Sequence, residues 1–309
     1  MADPSNPFRG NILVIRGGAI GDFILTLPAV SALRRQFPEA RLEILGYPHI
    51  AQLAVAGGLA DRAQSIEARA LAGFFARGGE LDADLVGYFS GFDIIVSYLY
   101  DPDTIFQTNI GRCTHAQFIA APHRPDEAAG IHATKVYLKP LERLAIFDAD
   151  PVPRLSLNAQ PSTLNRLALH PGSGGEHKNW PEAKWARLLE HLVSSTSLNL
   201  LLVGGEAEGD RLEHLAAALP PARLKMARNL PLAELACLLD GCVAFIGHDS
   251  GISHLAAAVG LPGLILWGDT AEEIWRPPNE RVVVLRHPHG LACLPVKEVA
   301  RELSKLLPV

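Results

Sequence analysis

Short apolar runs alternate with amphipathic segments along most of the chain. The run Ile12 to Ile15 predicts a buried strand, and residues 20–37 carry apolar side chains at helical spacing. Pro28 lies inside this helical stretch and predicts a kink or a later helix start. The same alternation predicts strands at 42–45, 92–97, 118–120, 167–170, 198–203, 243–246, 264–267 and 282–285, and helices at 48–57, 132–146, 181–194, 210–219, 232–239, 252–259 and 296–307. Strands that alternate with helices predict an α/β fold of parallel sheets covered on both faces.

A polar stretch at 147–163 with three prolines interrupts this pattern and predicts a linker. The length of 309 residues agrees with two domains. We therefore predict a Rossmann-like domain over residues 1–155 and a second one over residues 156–309, with packing of the last helix back on the N-terminal domain as an alternative. Two such parallel sheets are expected to face a central cleft, where ligands bind at the carboxyl ends of strands.

Composition excludes several classes of protein. Lys and Arg number 28 against 33 Asp and Glu, spread evenly, so no nucleic-acid partner is expected. Four scattered cysteines form no C-x-x-C pair, which argues against a zinc site or redox pair and favours reduced thiols in the cytoplasm. The start Met1-Ala2-Asp3-Pro4 does not look like a signal peptide, and no apolar run reaches the ~18 residues of a membrane-spanning helix.

The first candidate site follows the first predicted strand. Residues 16–22 read RGGAIGD, and their glycines let a ligand approach the backbone closely. Arg16 stands where a dinucleotide fingerprint requires glycine, so a nicotinamide cofactor is not indicated. Asp22 has two interpretations: a helix-start carboxylate favoured by the helix dipole, or a general base that faces a ligand.

A second loop, residues 170–181, has the sequence HPGSGGEHKNWP and also follows a predicted strand. Free backbone N–H groups and the Ser173 hydroxyl can cradle phosphate oxygens, and Lys178 adds a full positive charge. The alternative is a plain glycine-rich turn with a solvated lysine.

A third loop, residues 247–254, reads GHDSGISH and joins a strand to a helix. Ser250 can cap this helix, and the helix N-terminus offers an anion site. Asp249 beside such a site is expected to bind hydroxyl groups or to orient a cation such as Lys178. His254 lies one turn into the helix, where a histidine is more often structural than catalytic.

Three further patterns are less specific. In Gly204-Gly205-Glu206-Ala207-Glu208, Glu206 can accept hydrogen bonds from ribose hydroxyls or can be a solvated helix-start acid. Residues 267–270 follow a strand and either line a ligand or pack in the core. Of three D-x-D pairs, Asp101/Asp103 follows a strand and can hold a metal on a diphosphate, although such short patterns also arise by chance.

In chain order, the stretches 12–28, 169–181 and 245–268 resemble glycosyltransferase family 9, the ADP-heptose:lipopolysaccharide heptosyltransferases and their relatives. Residues 249–258, DSGISHLAAA, are similar to the most diagnostic segment of the family, with Ser250 at its usual threonine. The resemblance implies a GT-B fold and an inverting enzyme that moves a sugar, foremost heptose from ADP-heptose, to a lipopolysaccharide inner-core or other glycan acceptor. It implies no metal or cofactor, and a glycolipid acceptor implies peripheral contact with the inner membrane face.

The resemblance also implies roles for individual residues. Asp22 matches the general base for the acceptor hydroxyl, and Lys178 matches the lysine that neutralises the diphosphate leaving group. Arg16 and Gly18 fall on the acceptor side. The positions expected to bind the donor are Ser173, Gly174, Glu206, Asp249, Ser250, Gly251 and His254, with Glu208 as an alternative to Glu206.

One region departs from the family. Residues 98–103, YLYDPD, lack the acidic-glutamine-glycine pattern of the lipopolysaccharide enzymes, and the N-terminal half has none of the basic excess that a phosphorylated acceptor favours. The donor half is therefore retained, while another glycan or a small molecule stays open as acceptor. Two rival functions are a GT-B-fold sugar-nucleotide epimerase or hydrolase, and a non-catalytic nucleotide-sugar-binding protein. A binder needs no base, so the presence of both Asp22 and Lys178 argues against the second.

Overall fold

A computed structural model describes residues 8–157, 165–217 and 219–307. The chain divides into two compact units, Met1–Pro151 and Val152–Val309. The domain boundary predicted after residue 155 falls within the second unit. Residues 1–7 and 158–164 lie outside the described residues, so the expectation of no signal peptide and part of the predicted linker remain predictions.

The first unit is a parallel five-stranded sheet in the order β3-β2-β1-β4-β5. Its central strand β1 is buried on both faces, and its register pairs Ile12 with Leu42 and with Ile94. Short 3-10 segments lie at Arg69–Phe75, Glu127–Ala129 and Lys139–Leu144. The elements are β1 (Asn11–Arg16), α1 (Ile20–Gln36), β2 (Arg41–Gly46), α2 (Pro48–Ala56), β3 (Arg62–Ser65), α3 (Ala83–Ser90), β4 (Ile94–Ser97), α4 (Ile105–Ile110), β5 (Gln117–Ala120) and α5 (Ala133–Leu138).

Two predicted helices of this unit differ from the observed ones, and helices α3 and α4 were not predicted. Helix α1 begins at Ile20 and runs through Pro28, so the later start expected from this proline is wrong. The helix predicted over 132–146 is instead α5 followed by a 3-10 segment. Pro140 explains the change, because it has no N–H to continue the α-helical hydrogen bonds. Strand β3 was not predicted, since its sequence RAQS offers no apolar run.

The second unit is a parallel six-stranded sheet in the order β11-β10-β9-β6-β7-β8. Helix α11 packs in the core of this unit, where Val299 and Leu303 join Trp185 and Leu189 of α6. The alternative packing on the N-terminal domain is not needed to bury this helix face. The elements are β6 (Arg166–Leu169), α6 (Glu182–Ser195), β7 (Asn199–Gly204), α7 (Arg211–Ala217), β8 (Leu224–Arg228), α8 (Leu232–Asp240), β9 (Ala244–His248), α9 (Gly251–Ala258), β10 (Gly263–Leu266), α10 (Glu272–Trp275), β11 (Val282–Leu285) and α11 (Val296–Ser304).

Each sheet contains one point where the strand order reverses. In the first sheet the chain proceeds outward from β1 through β2 to β3, and then from β4 to β5 on the other side. In the second sheet it proceeds from β6 to β8, and then from β9 to β11 on the other side. Crevices form beyond the carboxyl ends of the two strands at such a switch point, and ligands bind there. Ligand-binding residues are therefore expected in the loops after β1, β4, β6 and β9.

No helix among the described residues is long and apolar enough to span a lipid bilayer.

Candidate functional sites at the strand ends

The loop after β1 is built around a buried arginine. Arg16 Nη1 donates a hydrogen bond to His123 O at 2.8 Å, and Nη2 donates to Asp22 O at 3.2 Å. Its guanidinium carbon lies 4.6 Å from the ring centroid of Tyr137 and 5.8 Å from that of Tyr98. Such contacts satisfy a desolvated cation through carbonyl dipoles and aromatic faces. Arg16, expected on the acceptor side, thus holds the first turn of α1, which carries Asp22.

Asp22 has the contacts of a helix-start carboxylate and keeps part of its side chain open to solvent. Its Oδ2 accepts the N–H of Ala19 at 3.3 Å, which helps to begin α1, and its Oδ1 lies 3.8 Å from Arg16 Nη2. The side chain nevertheless stays 26% exposed, so the carboxylate remains accessible to a ligand. Gly18 makes this arrangement possible, because its φ is +102° and a Cβ there would lie 3.2 Å from Asp22 Oδ2.

A cavity of about 450 Å³ opens beside Asp22 in the first unit. His123 lies in its wall, and burial, followed by the charges of Arg16 and Arg124, lowers the pKa of this imidazole. His123 is therefore neutral near pH 7. The other lining residues include Gly17, Gly18, Tyr47, Glu67, Phe75, Tyr98 and Tyr100.

In the second unit an ion pair crosses the switch point between β6 and β9. Lys178 Nζ donates to Asp249 Oδ2 at 2.7 Å, and Thr270 Oγ1 donates to the same oxygen at 2.6 Å. Lys178 is only partly buried, and its ammonium group has two further N–H bonds to offer a ligand. The role proposed for Asp249 in orienting Lys178 thus matches the geometry, and Thr270 is its second partner.

The loop that carries Lys178 is held at both ends by one buried histidine. The N–H of Trp180 donates to His248 Nε2 at 2.9 Å, so the ring proton must lie on Nδ1, which donates to Gly172 O at 3.2 Å. Burial lowers the pKa of His248 to about 3, so the imidazole is neutral in this clamp. The role of His248 was not predicted, since a buried histidine at a strand end has no local signature in the sequence.

In the predicted phosphate loop, the backbone is more accessible to a ligand than the Ser173 hydroxyl group. Ser173 is buried, and its hydroxyl faces two acceptors inside the loop, Gly175 O at 2.9 Å and Asn179 Oδ1 at 2.8 Å. Gly174 is exposed, and a Cβ there would meet open space. Ser173 therefore shapes the loop, and the main chain around Gly174 is the part accessible to an anion.

The structure places Glu208, rather than Glu206, in the interior. Glu206 is exposed, whereas Glu208 is buried and its Oε2 accepts the N–H of Gly205 at 2.5 Å. Burial by itself would raise the pKa of Glu208, but the hydrogen bond and charge of His170 lower it overall. The 3-10 turn Glu206–Glu208 after β7 therefore buries the second of these carboxylates and leaves the first exposed to solvent, and the assignment of Glu206 to the donor stays a prediction.

A buried polar chain links this carboxylate to helix α9. His170 Nε2 lies 3.4 Å from Glu208 Oε1, and His170 Nδ1 lies 3.2 Å from Ser250 Oγ. Ser250 Oγ also accepts the N–H of Ser253 at 3.4 Å and thereby caps α9, which begins at Gly251. The loops after β6, β7 and β9 are thus connected by side chains. His254 is buried on α9, as expected of a structural histidine.

One member of the acidic pair Asp101/Asp103 has a local structural role. The carboxylate of Asp101 accepts the N–H groups of Phe106 at 3.1 Å and Gln107 at 2.9 Å, which caps α4. Among the described ranges, no group of three or more His, Cys, Asp or Glu side chains is arranged to hold a metal ion.

Comparison with known proteins identifies the family of this chain. The model of glycosyltransferase family 9 (heptosyltransferase) matches residues 148–305, half of the chain. The chain belongs to glycosyltransferase family 9. Among its relatives, "Lipopolysaccharide heptosyltransferase 3" of Escherichia coli K12 is 24% identical over 93% of this chain and 95% of that protein. The protein is therefore a glycosyltransferase enzyme, as the resemblance implied.

Solved structures show the fold of this family 9 chain. A family 9 glycosyltransferase from Veillonella parvula matches with a TM-score of 0.79 at 18% identity, covering 96% of this chain and 97% of that one. An E. coli heptosyltransferase with ADP-2-deoxy-2-fluoro heptose matches with a TM-score of 0.74 at 18% identity, covering 96% and 99%. These matches confirm the predicted α/β GT-B fold.

Proposed function

We propose that this glycosyltransferase moves a heptosyl group from ADP-heptose to a hydroxyl group of a glycan or glycolipid, with inversion at the anomeric carbon. The observation that carries the proposal is the Lys178–Asp249 ion pair at the switch point of the second unit. Membership of the heptosyltransferase family and the fold match to an enzyme solved with an ADP-heptose analogue support the choice of donor.

The second unit is proposed to bind the leaving group. The first turn of an α-helix has backbone N–H groups without helical partners, and in α9 the Ser250 side chain uses the one from Ser253. The remaining donors of that turn and the ammonium group of Lys178 are suited to the oxygens of a diphosphate. Charge stabilisation of this kind grows as ADP departs, and it requires no divalent metal.

The first unit is proposed to activate the acceptor. The Asp22 carboxylate takes the proton of the acceptor hydroxyl as its oxygen attacks the anomeric carbon. A new carbon–oxygen glycosidic bond forms, and the bond from the anomeric carbon to the diphosphate oxygen breaks. The electron pair of that bond leaves with ADP. One such displacement inverts the configuration at the anomeric carbon.

Calorimetric titration with ADP, UDP, GDP and dTDP, with and without Mg²⁺, tests the donor assignment. ADP is expected to bind most tightly, equally well without Mg²⁺, and Lys178→Ala should weaken it by about tenfold or more, as for a charge-assisted hydrogen bond. Lys297→Ala, which removes an exposed lysine of the same unit, is the matched control. Tighter binding of another nucleotide would contradict ADP-heptose as donor, and binding of none would contradict the donor site.

A further inference from the structure

The cavity beside Asp22 suggests the chemical class of the acceptor. We propose that it binds an uncharged glycoside, with the apolar face of a sugar ring against Phe75 and Tyr100, in preference to a phosphorylated sugar. This inference rests on the proposed function, because it takes Asp22 as the base that receives the acceptor proton. The cavity volume of about 450 Å³ is sufficient for a small glycoside.

Two large aromatic side chains are left exposed at this cavity. Phe75 is 47% exposed and Tyr100 is 70% exposed. Across the described residues, the only other large aromatic side chain in this exposed class is Phe147, at 67%, which is not among the cavity-lining residues. Exposed apolar side chains that cluster around a cavity are typical of a ligand-binding surface.

Each of the two exposed rings packs against a neighbouring ring. Phe75 stacks on the buried ring of Phe106, with 4.9 Å between centroids and 28° between planes. Tyr100 packs on the ring of His123 with 4.6 Å between centroids. A ring held in this way loses little conformational entropy when a ligand covers it, so it provides a ready surface for stacking. The rings of Phe75 and Tyr100 are therefore preorganised for stacking.

The charged groups of the cavity balance one another. Arg16 and Arg124 line it together with Asp22 and Glu67. Arg16 already donates to main-chain carbonyl groups, and Arg124 lies 3.6 Å from Glu127 of the neighbouring turn. A phosphate is recognised by a surplus of cationic donors, and the carboxylates here would repel it. An acceptor whose sugar carries hydroxyl groups alone fits this lining better.

Saturation-transfer NMR with methyl α-D-mannopyranoside and methyl α-D-glucopyranoside, each compared with its 6-phosphate, tests the inference. The neutral glycosides are expected to bind more tightly than the phosphates by about threefold or more. Tyr100→Ala and Phe75→Ala should each weaken glycoside binding by about three- to tenfold, in the range of an aromatic contact. Phe147→Ala is the matched control, because it removes an equally exposed ring outside the cavity.

Three outcomes would overturn the inference. The phosphates could bind as tightly as the neutral glycosides, both cavity variants could retain wild-type affinity, or neither glycoside could bind a preparation that binds ADP. ADP titration of that preparation separates the two proposals. Failure to bind ADP contradicts the proposed donor, whereas the glycoside measurements test only the class of acceptor. Glu67→Gln sharpens the charge argument, because removal of this negative charge should tighten binding of the 6-phosphates relative to that of the neutral glycosides.

Discussion

In the first unit the switch point between β1 and β4 borders a cavity lined by aromatic rings and balanced charges, whereas the switch point between β6 and β9 in the second unit is crossed by hydrogen bonds. Around the cavity, ring packing orders the exposed side chains, and Asp22 remains partly open. In the second unit, Lys178 and Thr270 both donate to Asp249, and the buried His248 clamps the loop.

This difference follows from what each region is proposed to bind. A diphosphate has high charge at fixed positions, so its site benefits from cations and dipoles whose orientation is set before binding. An acceptor presents hydroxyl groups and apolar ring faces, for which stacking surfaces suffice. The same sheet architecture can therefore host both sites, and the loops decide the chemistry.

The largest effect is expected for Asp22→Asn, which should lower kcat by about 10²–10⁴-fold if this carboxylate is the general base. ADP affinity should stay unchanged in this variant, because it depends on the second unit. One substitution would then impair the function of the first region and leave that of the second intact. Release of ADP from ADP-heptose in the presence of a glycoside that the wild-type enzyme accepts measures the rate. Asp84→Asn, an exposed acid of α3, is the control, and unchanged turnover of Asp22→Asn would remove Asp22 from the mechanism.

His248→Asn tests whether the second region depends on its buried clamp. Loss of the hydrogen bond from Trp180 N–H should lower the free energy of unfolding by about 1–3 kcal/mol, since a buried donor is left without its partner. Urea unfolding followed by tryptophan fluorescence reports this unit, because all four tryptophans, at positions 180, 185, 267 and 275, lie in it. His191→Asn changes an exposed histidine of α6 and should leave stability unchanged.

Comparison of wild-type protein with His248→Asn at different pH values gives a second test of the clamp. The pKa of His248 is about 3 in the folded protein and 6.5 for an unperturbed histidine. As the pH falls through 6.5, the unfolded state therefore binds a proton at this residue and the folded state does not. Wild-type stability should therefore fall by about 1.4 kcal/mol from this residue between pH 7.5 and 5.5. His248→Asn should lack this part of the loss, and an identical pH slope in both proteins would contradict a neutral buried imidazole.

Gly18→Ala and Gly174→Ala compare the backbone demands of the two regions. Gly18 has a φ of +102°, so alanine should cost about 1–2 kcal/mol of unfolding free energy there, whereas a Cβ on Gly174 meets open space. Thermal unfolding of both variants measures the contrast. Equal stability of the two would show that the loop after β1 relaxes without strain.

The smallest effect is expected for Thr270→Val. Removal of one hydrogen bond to Asp249 should weaken ADP binding by about three- to tenfold while leaving glycoside binding intact. In the Lys178→Ala background the same change should have little further effect, because Thr270 acts by orienting the ion pair. Additive losses in the double variant would indicate that Thr270 acts independently.

The sequence alone determined the class of fold and the positions of the loops that carry chemistry. Alternation of apolar runs with amphipathic segments follows from the two-residue period of strands and the 3.6-residue period of helices, which are local properties. The glycine-rich and acidic loops could be recognised because they directly follow predicted strands. Strand β3 was missed, because short polar edge strands have no such pattern.

Only the tertiary structure decided which side chains meet. The Lys178–Asp249 contact joins residues 71 positions apart, and it exists because β6 and β9 are neighbours in the sheet. The burial of Glu208 depends on the turn after β7, and the contact of Tyr100 with His123 depends on the pairing of β4 with β5. Local periodicity places each loop at a strand end, but strand order is set by the packing of the whole sheet, and this long-range term assembles the sites.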